Sequence, residues 1–317
     1  MTDEGSAAGA EATETEFLRD RILVLNPVSG DGNHRDQVRE LAAVHDFTVL
    51  ETQAAGEALA FGQLAAEAGA DLVAAAGGDG TLNAVARGVD AAGALDDVTF
   101  GVVPAGTGNN FAGNIGVESI ERAFEVIDNG ERRRVDVGVG DGRLFLNSCI
   151  AGLTAEASAS TTADSKDRLG VLSYVVNGLR AAREFDGLSL SVEAAEPGRD
   201  RTWSGEAVMV LIGNARRFPA EGRPQADAED GLLEVGIVER VPPSDLLEDA
   251  AGHRLFGEDP DNVTNILASE LRVEVQRDEP VQFSYDGEMG THESLTVETR
   301  SEALKICVGE AYEPDPR

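Results

Sequence analysis

The stretch Leu72-Val-Ala-Ala-Ala-Gly77-Gly78-Asp79-Gly80-Thr81-Leu82-Asn83 constrains this chain most, because an apolar run breaks abruptly into glycines around a single acid. A continuous apolar run is the pattern of a buried parallel strand, and glycine lets the next turn approach a ligand with bare backbone. From Thr81 onward, Leu82, Val85, Ala86 and Val89 fall at helical spacing. The layout is strand, glycine turn, helix N-terminus, which gathers free N–H groups and the positive end of a helix dipole around an anion. Taken alone, it is also the layout of an ordinary tight turn.

It does not stand alone. Asn26-Pro27-Val28-Ser29-Gly30 follows an apolar strand at 21–25, and Pro104-Ala105-Gly106-Thr107-Gly108-Asn109-Asn110-Phe111-Ala112 follows another at 98–103. Each loop leads into a helical pattern. In an open α/β sheet such loops gather at the carboxyl edge of the strands, where ligands bind. The spacing predicts strands at 22–25, 47–51, 72–76 and 98–103, with helices at about 33–44 and 56–68, from Thr81, and again up to Asn129-Gly130. That alternation predicts a doubly wound parallel sheet.

Past Val135-Asp136-Val137-Gly138 the texture changes to short apolar or alternating strands at 144–150, 188–193, 207–214, 232–238, 271–276, 281–285 and 304–308. One helical stretch, 169–184, interrupts them, and an acidic stretch, 248–261, reads as a surface loop and helix edge. The fold class expected is therefore α/β, a parallel N-terminal sheet followed by a β-rich antiparallel sandwich. The domains expected are a disordered acidic tail (1–18), an α/β domain (19–136), a β-rich domain (137–300) and a terminal segment (301–317).

With 317 residues the chain is long enough for both domains. No run approaches the roughly 20 apolar residues that span a bilayer, and the acidic start predicts no signal peptide. Cys149 and Cys307 lie in separate apolar runs and read as buried free thiols, which points to a cytoplasmic protein. The histidines form no metal-spaced cluster.

The net charge of −32 is extreme, and only two of the 26 basic residues are lysines. Self-repulsion of this size destabilises a compact state at low ionic strength, whereas molar salt shortens the Debye length to about 3 Å and removes most of the cost. The composition resembles that of proteins from salt-accumulating organisms. With no basic stripe, nucleic acid is excluded as a partner. The Arg132-Arg133-Arg134 run and the Arg216-Arg217 pair read first as salt-bridge partners and second as phosphate contacts.

In their order, Asn-Pro-x-Ser-Gly at 26–30, Gly-Gly-Asp-Gly-Thr at 77–81 and Pro-x-Gly-Thr-x-Asn at 104–109 resemble the diacylglycerol kinase catalytic family, which includes soluble bacterial lipid kinases and the sphingosine kinases. The resemblance continues to Asp230-Gly231 and Asp286-Gly287-Glu288. It implies an ATP-dependent kinase that phosphorylates the hydroxyl of a lipid alcohol such as diacylglycerol, using Mg²⁺. It places the nucleotide-binding role on 19–136 and the lipid-substrate role on 137–300, with the nucleotide between the domains and 301–317 folding back onto the first. Membrane contact would be peripheral and transient, and a homodimer is an open alternative. Two other readings compete: an NAD kinase-like enzyme, which shares Gly-Gly-Asp-Gly-Thr, and a nucleotide- or lipid-binding module with little turnover.

Phosphoryl transfer needs cradled phosphates, a cation and a base. The cradle is assigned to Asn26, Pro27, Ser29 and Gly30, to Gly77, Gly78, Asp79, Gly80 and Thr81, and to Thr107 and Asn110, which supply hydroxyls and, Pro27 apart, backbone N–H groups. Thr52, ending the second strand, resembles a family position close to the nucleotide. No Walker-type Gly-x-x-x-x-Gly-Lys-Ser/Thr sequence is present. Asp79 is a candidate for the catalytic Mg²⁺, with capping of its own helix as the structural alternative. Asp286 and Glu288 flank Gly287 after an apolar strand, so strand spacing predicts both carboxylates on one face, repelling each other and raising one pKa. The resemblance assigns Glu288 as proton acceptor and Asp286 to orienting metal or base. Asp136 is a further family-like acid or a buried cap. The family's structural Mg²⁺ site carries over onto Asp230, the Leu232 carbonyl and, more weakly, Asp227, with an Asp-Gly turn as the alternative. Two departures stand out: Asn109-Asn110 where the family has Asn-Asp, and Ala84 where it has Glu.

Overall fold

The computed structural model describes residues 20–152, 187–217, 225–240 and 263–316. The chain divides into two units, Met1–Arg134 with Ala303–Tyr312 and Val135–Glu302 with Glu313–Arg317.

The first unit alternates strand and helix: β1 (Arg21–Leu25), α1 (Arg35–Val44), β2 (Thr48–Glu51), α2 (Glu57–Glu67), β3 (Leu72–Gly77), α3 (Asp79–Ala91), β4 (Thr99–Pro104), α4 (Asn110–Asn114) and α5 (Ile120–Asn129). The strands lie in the order β4-β3-β1-β2, every pairing parallel. Every residue of β3 and of β4 is buried, as a sheet covered on both faces requires. Helix packing sets two glycines on facing helices. A Cβ on Gly62 would stand 2.4 Å from the Val85 carbonyl oxygen, and one on Gly88 2.2 Å from that of Leu59.

The second unit begins within β5 (Glu131–Gly140) and continues through β6 (Arg143–Phe145), β7 (Ser148–Gly152), β8 (Leu188–Glu196), β9 (Arg199–Gly213), β10 (Leu233–Glu239), β11 (Val263–Ala268), β12 (Glu270–Val275), β13 (Val281–Tyr285), β14 (Glu288–His292) and β15 (Ser294–Val308). Its main sheet runs β14-β13-β7-β9-β8-β12-β15, with β10 beside β9 and β11 beside β10. These pairings are antiparallel. Phe145, Val210, Ile212, Val235, Val273, Phe283 and Val297 are among the residues of its buried core.

The last part of β15 belongs to the first unit, where Ile306 pairs in parallel with Phe100 of β4. Gly309 then donates to the Ile115 carbonyl at 2.9 Å, and a Cβ there would lie 2.0 Å from the Gly116 carbonyl oxygen.

The parallel first sheet and the β-rich second part match the expected fold class; several boundaries do not match. Helix α1 starts at Arg35, because Asp31 takes the Asn33 N–H in a turn at 3.0 Å. Helix α3 starts at Asp79, which places the acid inside its first turn. The single strand expected at 144–150 is broken into β6 and β7, because the N–H groups of Leu146, Asn147 and Ser148 turn to the Asp286 carboxylate. Strand β9 starts at Arg199 through a polar, largely exposed arm held by antiparallel pairing, and β15 starts at Ser294, its buried Leu295 and Val297 alternating with polar residues. Strands β11 and β14 were not expected, since neither Val-Thr-Asn-Ile-Leu-Ala nor Glu-Met-Gly-Thr-His alternates cleanly. The N-terminal tail, the helix at 169–184 and the acidic stretch at 248–261 lie outside the described residues.

Candidate active site

In the first unit β1, β3 and β4 are parallel neighbours, so the loops leaving their carboxyl ends lie side by side. They meet backbone to backbone. A Cβ on Gly106 would stand 2.3 Å from the Gly78 Cα, and one on Gly30 would stand 3.0 Å from the Ala105 carbonyl oxygen. Gly30 also holds φ +57°, in the left-handed region that suits glycine. Gly77 is required by its own helix, since a Cβ would lie 2.5 Å from Thr81 Oγ1.

Asn26 ties the first two loops together. Its Nδ2 donates to Thr81 Oγ1 at 3.0 Å, its Oδ1 accepts from the Val28 N–H at 3.2 Å, and its N–H donates to the Ala76 carbonyl at 2.9 Å. Its own carbonyl faces His34 Nε2 at 2.9 Å. Thr52 is buried at the end of β2, where its N–H donates to the Leu25 carbonyl at 2.9 Å. Pro27 and Ser29 are half-buried, while Thr107 and Asn110 are exposed.

Asp79 opens α3, whose first internal bonds run from the Thr81 and Leu82 N–H groups to the Gly78 carbonyl. The N–H groups of Asp79 and Gly80 therefore precede the helical ladder, at the positive end of the dipole. The Asp79 carboxylate does not cap its own helix. Its Oδ2 accepts from the Asn110 N–H at 3.1 Å and Nδ2 at 3.2 Å, and its Oδ1 accepts from the Phe111 N–H at 3.0 Å. It thus clamps the third loop to the second. Asn109 secures the same loop, exchanging hydrogen bonds with the N–H and carbonyl of Gly106 at 2.8 Å each.

This edge offers bare backbone, hydroxyls and one carboxylate, which suits a polyphosphate. A carboxylate has about four lone-pair positions, so three bonds leave Asp79 one for a cation. Magnesium is commonly held by one or two carboxylates, phosphate oxygens and water, and the donor set here fits that pattern.

In the second unit Asp286 and Gly287, at φ +49° and +98°, form a two-residue turn between Tyr285 and Glu288, which are register partners. Positive φ at both positions is the hairpin geometry that Asp-Gly favours. Asp286 Oδ2 accepts from the Leu146 N–H at 2.7 Å, and its Oδ1 accepts from Asn147 at 3.1 Å and Ser148 at 2.8 Å. Glu288 instead pairs with Arg143, Oε2 to Nη2 at 2.5 Å. The expectation of two carboxylates on one strand face is therefore corrected. A turn, not a strand, joins them, and each carboxylate is held by its own partners.

Asp136 is a buried clasp. Its Oδ2 accepts from the Gly231 N–H and its Oδ1 from the Glu302 N–H, both at 2.7 Å, while its own N–H donates to the Ala228 carbonyl at 2.7 Å. Burial raises its pKa above the ordinary carboxylate value, with Asp230 and Asp227 adding to the effect against those two N–H donors. Glu234 is raised in the same way, by burial first and by the same two aspartates, while Arg217 opposes. Asp227 and Asp230 each accept a backbone bond two residues on, from Glu229 and from Leu232, at 2.9 Å. These are Asx turns. Among the described residues no three His, Cys, Asp or Glu side chains form a metal-holding group.

The basic run is absorbed by the first unit. Arg132 donates to the Ile127 and Gly130 carbonyls at the end of α5, Arg133 pairs with Glu131 and Arg134 with Asp96. Sequence reasoning missed Arg143, the partner of Glu288. It also missed Asn214, whose buried Nδ2 donates to the Asp136 and Leu146 carbonyls at 2.8 and 2.9 Å. No local motif marks either residue.

A sequence profile of the diacylglycerol kinase catalytic domain matches residues 20–139, and one of the YegS C-terminal NAD kinase beta sandwich-like domain matches 147–308. The probable lipid kinase YegS-like of Pseudomonas syringae pv. syringae is 32% identical over 264 residues, covering 82% of this chain and 83% of that protein. The diacylglycerol kinase of Bacillus subtilis strain 168 is 27% identical over 278 residues, covering 84% and 89%. A crystal structure of a diacylglycerol kinase from Bacillus anthracis strain Sterne superposes with a TM-score of 0.66 at 20% identity, covering 93% and 98%. The last likeness concerns the fold alone. The chain belongs to the diacylglycerol kinase family of lipid kinases.

Proposed function

We propose that the protein transfers the γ-phosphoryl group of ATP to the hydroxyl of a diacylglycerol or a related glycerolipid. The observation that carries this is the packing of the glycine loops at one sheet edge, where Gly106 lies too close to Gly78 to carry a Cβ. Asn26, Pro27, Ser29, Gly30, Thr52, Gly77, Gly78, Gly80, Thr81, Thr107 and Asn110 are the residues assigned to the nucleotide. Asp79 would hold Mg²⁺, which when bound neutralises charge on the phosphates. Glu288 accepts the proton of the lipid hydroxyl, its carboxylate held in place through Oε2 by Arg143. Asp286 fixes the turn that carries it. A second Mg²⁺, structural in role, is assigned to Asp230, the Leu232 carbonyl and Asp227.

No helix among the described residues is long and apolar enough to cross a membrane. Our reading is a cytoplasmic enzyme that meets its lipid by transient peripheral contact, as a monomer or a homodimer. The test is turnover with ATP and Mg²⁺ in molar salt, offered a diacylglycerol, a glycerol diether, a sphingoid base, a polyprenol and, separately, NAD. Phosphorylation of a glycerolipid above the others is expected. Phosphate transfer to NAD alone would support the NAD kinase-like reading, and ATP binding without turnover would support the binding module.

A further inference from the structure

In the second unit an aromatic residue and a histidine sit behind the turn that carries Glu288. Tyr285 is the last residue of β13 and is buried, and its hydroxyl lies 2.9 Å from His292 Nε2. The other ring nitrogen of His292, Nδ1, lies 3.2 Å from Asp141 Oδ2. The phenol also reaches the buried Cys149 thiol. Burial pushes both the Tyr285 phenol and the Cys149 thiol up, so each keeps its proton. One assignment then gives each proton of the Tyr285–His292 pair an acceptor. The phenol donates to His292 Nε2, and Nδ1–H donates to the Asp141 carboxylate.

Two strand glycines make room for this chain of bonds. A Cβ on Gly290 would stand 2.9 Å from His292 Nε2 and 3.0 Å from Tyr285 Cε2, and one on Gly140 would stand 2.8 Å from Tyr285 Cε1. Glycine inside a strand weakens it and marks a close approach, and here the approach is to the Tyr285 ring. The ring has a further load. The Arg143 guanidinium lies over it, 4.8 Å from the centroid, and the same guanidinium holds Glu288 and donates from Nη1 to the Met289 carbonyl at 3.3 Å.

We infer that Tyr285 and His292 are positioning residues for Glu288: the Asp141–His292 pair fixes the phenol, the phenol ring seats Arg143, and Arg143 aims the carboxylate. This rests on the proposed role of Glu288 as proton acceptor. Misplacement of a reacting group by about 1 Å can cost on the order of 10²-fold in rate. Loss of one hydroxyl three links away should cost less, about tenfold.

The test compares Tyr285→Phe, His292→Gln, Asp141→Asn and Glu288→Gln in the full chain, assayed with ATP and 1,2-dioctanoylglycerol, alongside ¹⁵N spectra of the His292 ring. Asp141→Asn serves as the variant least apt to misfold, since Asp141 holds φ +47° and asparagine adopts that conformation readily. The wild-type ring should show a single tautomer with the proton on Nδ1, and that preference should be lost in Tyr285→Phe. The Tyr285, His292 and Asp141 variants should lower kcat about tenfold while leaving KM for ATP unchanged. A wild-type ring protonated on Nε2, or a kcat unchanged in Tyr285→Phe while Glu288→Gln is inactive, would overturn the positioning role alone. Full activity in Glu288→Gln would overturn the base assignment, and the positioning role with it.

Discussion

The glycine loops of the first unit and the acid-bearing turn of the second solve the same problem, holding polar groups still, by opposite means. At the ends of β1, β3 and β4 the contact surface is main chain, and Gly30, Gly78 and Gly106 matter for what they lack. At the Asp286–Gly287 turn the contact surface is side chain, with carboxylates gripped by backbone N–H groups and by Arg143. A site made of backbone is intolerant of bulk and indifferent to charge. A site made of side chains tolerates bulk and depends on each functional group.

The largest expected effect separates these two modes. Glu288→Gln keeps the shape of the turn and should lower kcat about 10²- to 10⁴-fold with ATP affinity unchanged, because a positioned base contributes that much. Gly106→Val inserts a side chain where a Cβ alone would meet the Gly78 Cα at 2.3 Å, and should instead abolish detectable ATP binding. Calorimetric titration with ATP, run on both folded variants, breaks the comparison if Gly106→Val binds normally.

Salt should act more broadly and less steeply. With a net charge of −32, lowering KCl from molar to about 0.1 M lengthens the Debye length to roughly 10 Å and should lower the melting temperature. A melting temperature constant across that series would remove electrostatic self-repulsion from the account.

The smallest effect is one of sign. Burial raises the Asp136 carboxyl in the second unit, so the folded state holds that proton more tightly than the unfolded chain. Its contribution is present below the ordinary carboxylate value and is lost as pH rises through the raised one. Asp128 in the first unit is the reverse. Burial pushes its carboxyl up, but Arg21 and His45, at 2.6 Å each, outweigh burial and leave it lowered. Its contribution is present above the ordinary value and lost as pH falls through the lowered one. Asp128→Asn should therefore cost about 1 kcal/mol or less at neutral pH and nothing in strong acid. Asp136→Asn should narrow its gap to the wild type as pH rises from acid to neutral. Urea unfolding across pH 3 to 7 checks both, and parallel curves would refute the assignment.

The same division explains what could be learned from residue order. The glycine loops were legible because their requirement is local: strand, turn and helix signals lie within a dozen residues at Leu72 to Asn83. That Asp79 serves the next loop's helix was not legible, since its partners Asn110 and Phe111 lie 31 and 32 residues on. Arg143 stands 145 residues before Glu288, and the N–H groups that fix Asp286 lie 138 to 140 residues before it. An acid in an Asp-Gly-Glu turn advertises itself, but nothing near it says which distant group will hold it. Strand β14 was missed for the same reason, because its hairpin pairing with β13, not its own alternation, makes it a strand.

The return of β15 has a consequence for how the chain is made. The first unit is assembled from residues up to Arg134 and from Ala303–Tyr312, and its β4 edge is completed only by the latter. A ribosome therefore releases almost the whole polypeptide before the N-terminal sheet can close. Until then β4 presents an unpaired border to the cell, where chaperones can bind it or another nascent chain can pair with it. A stop codon ahead of Ala303 would leave that border permanently open, so even a short C-terminal truncation should reach the N-terminal unit first.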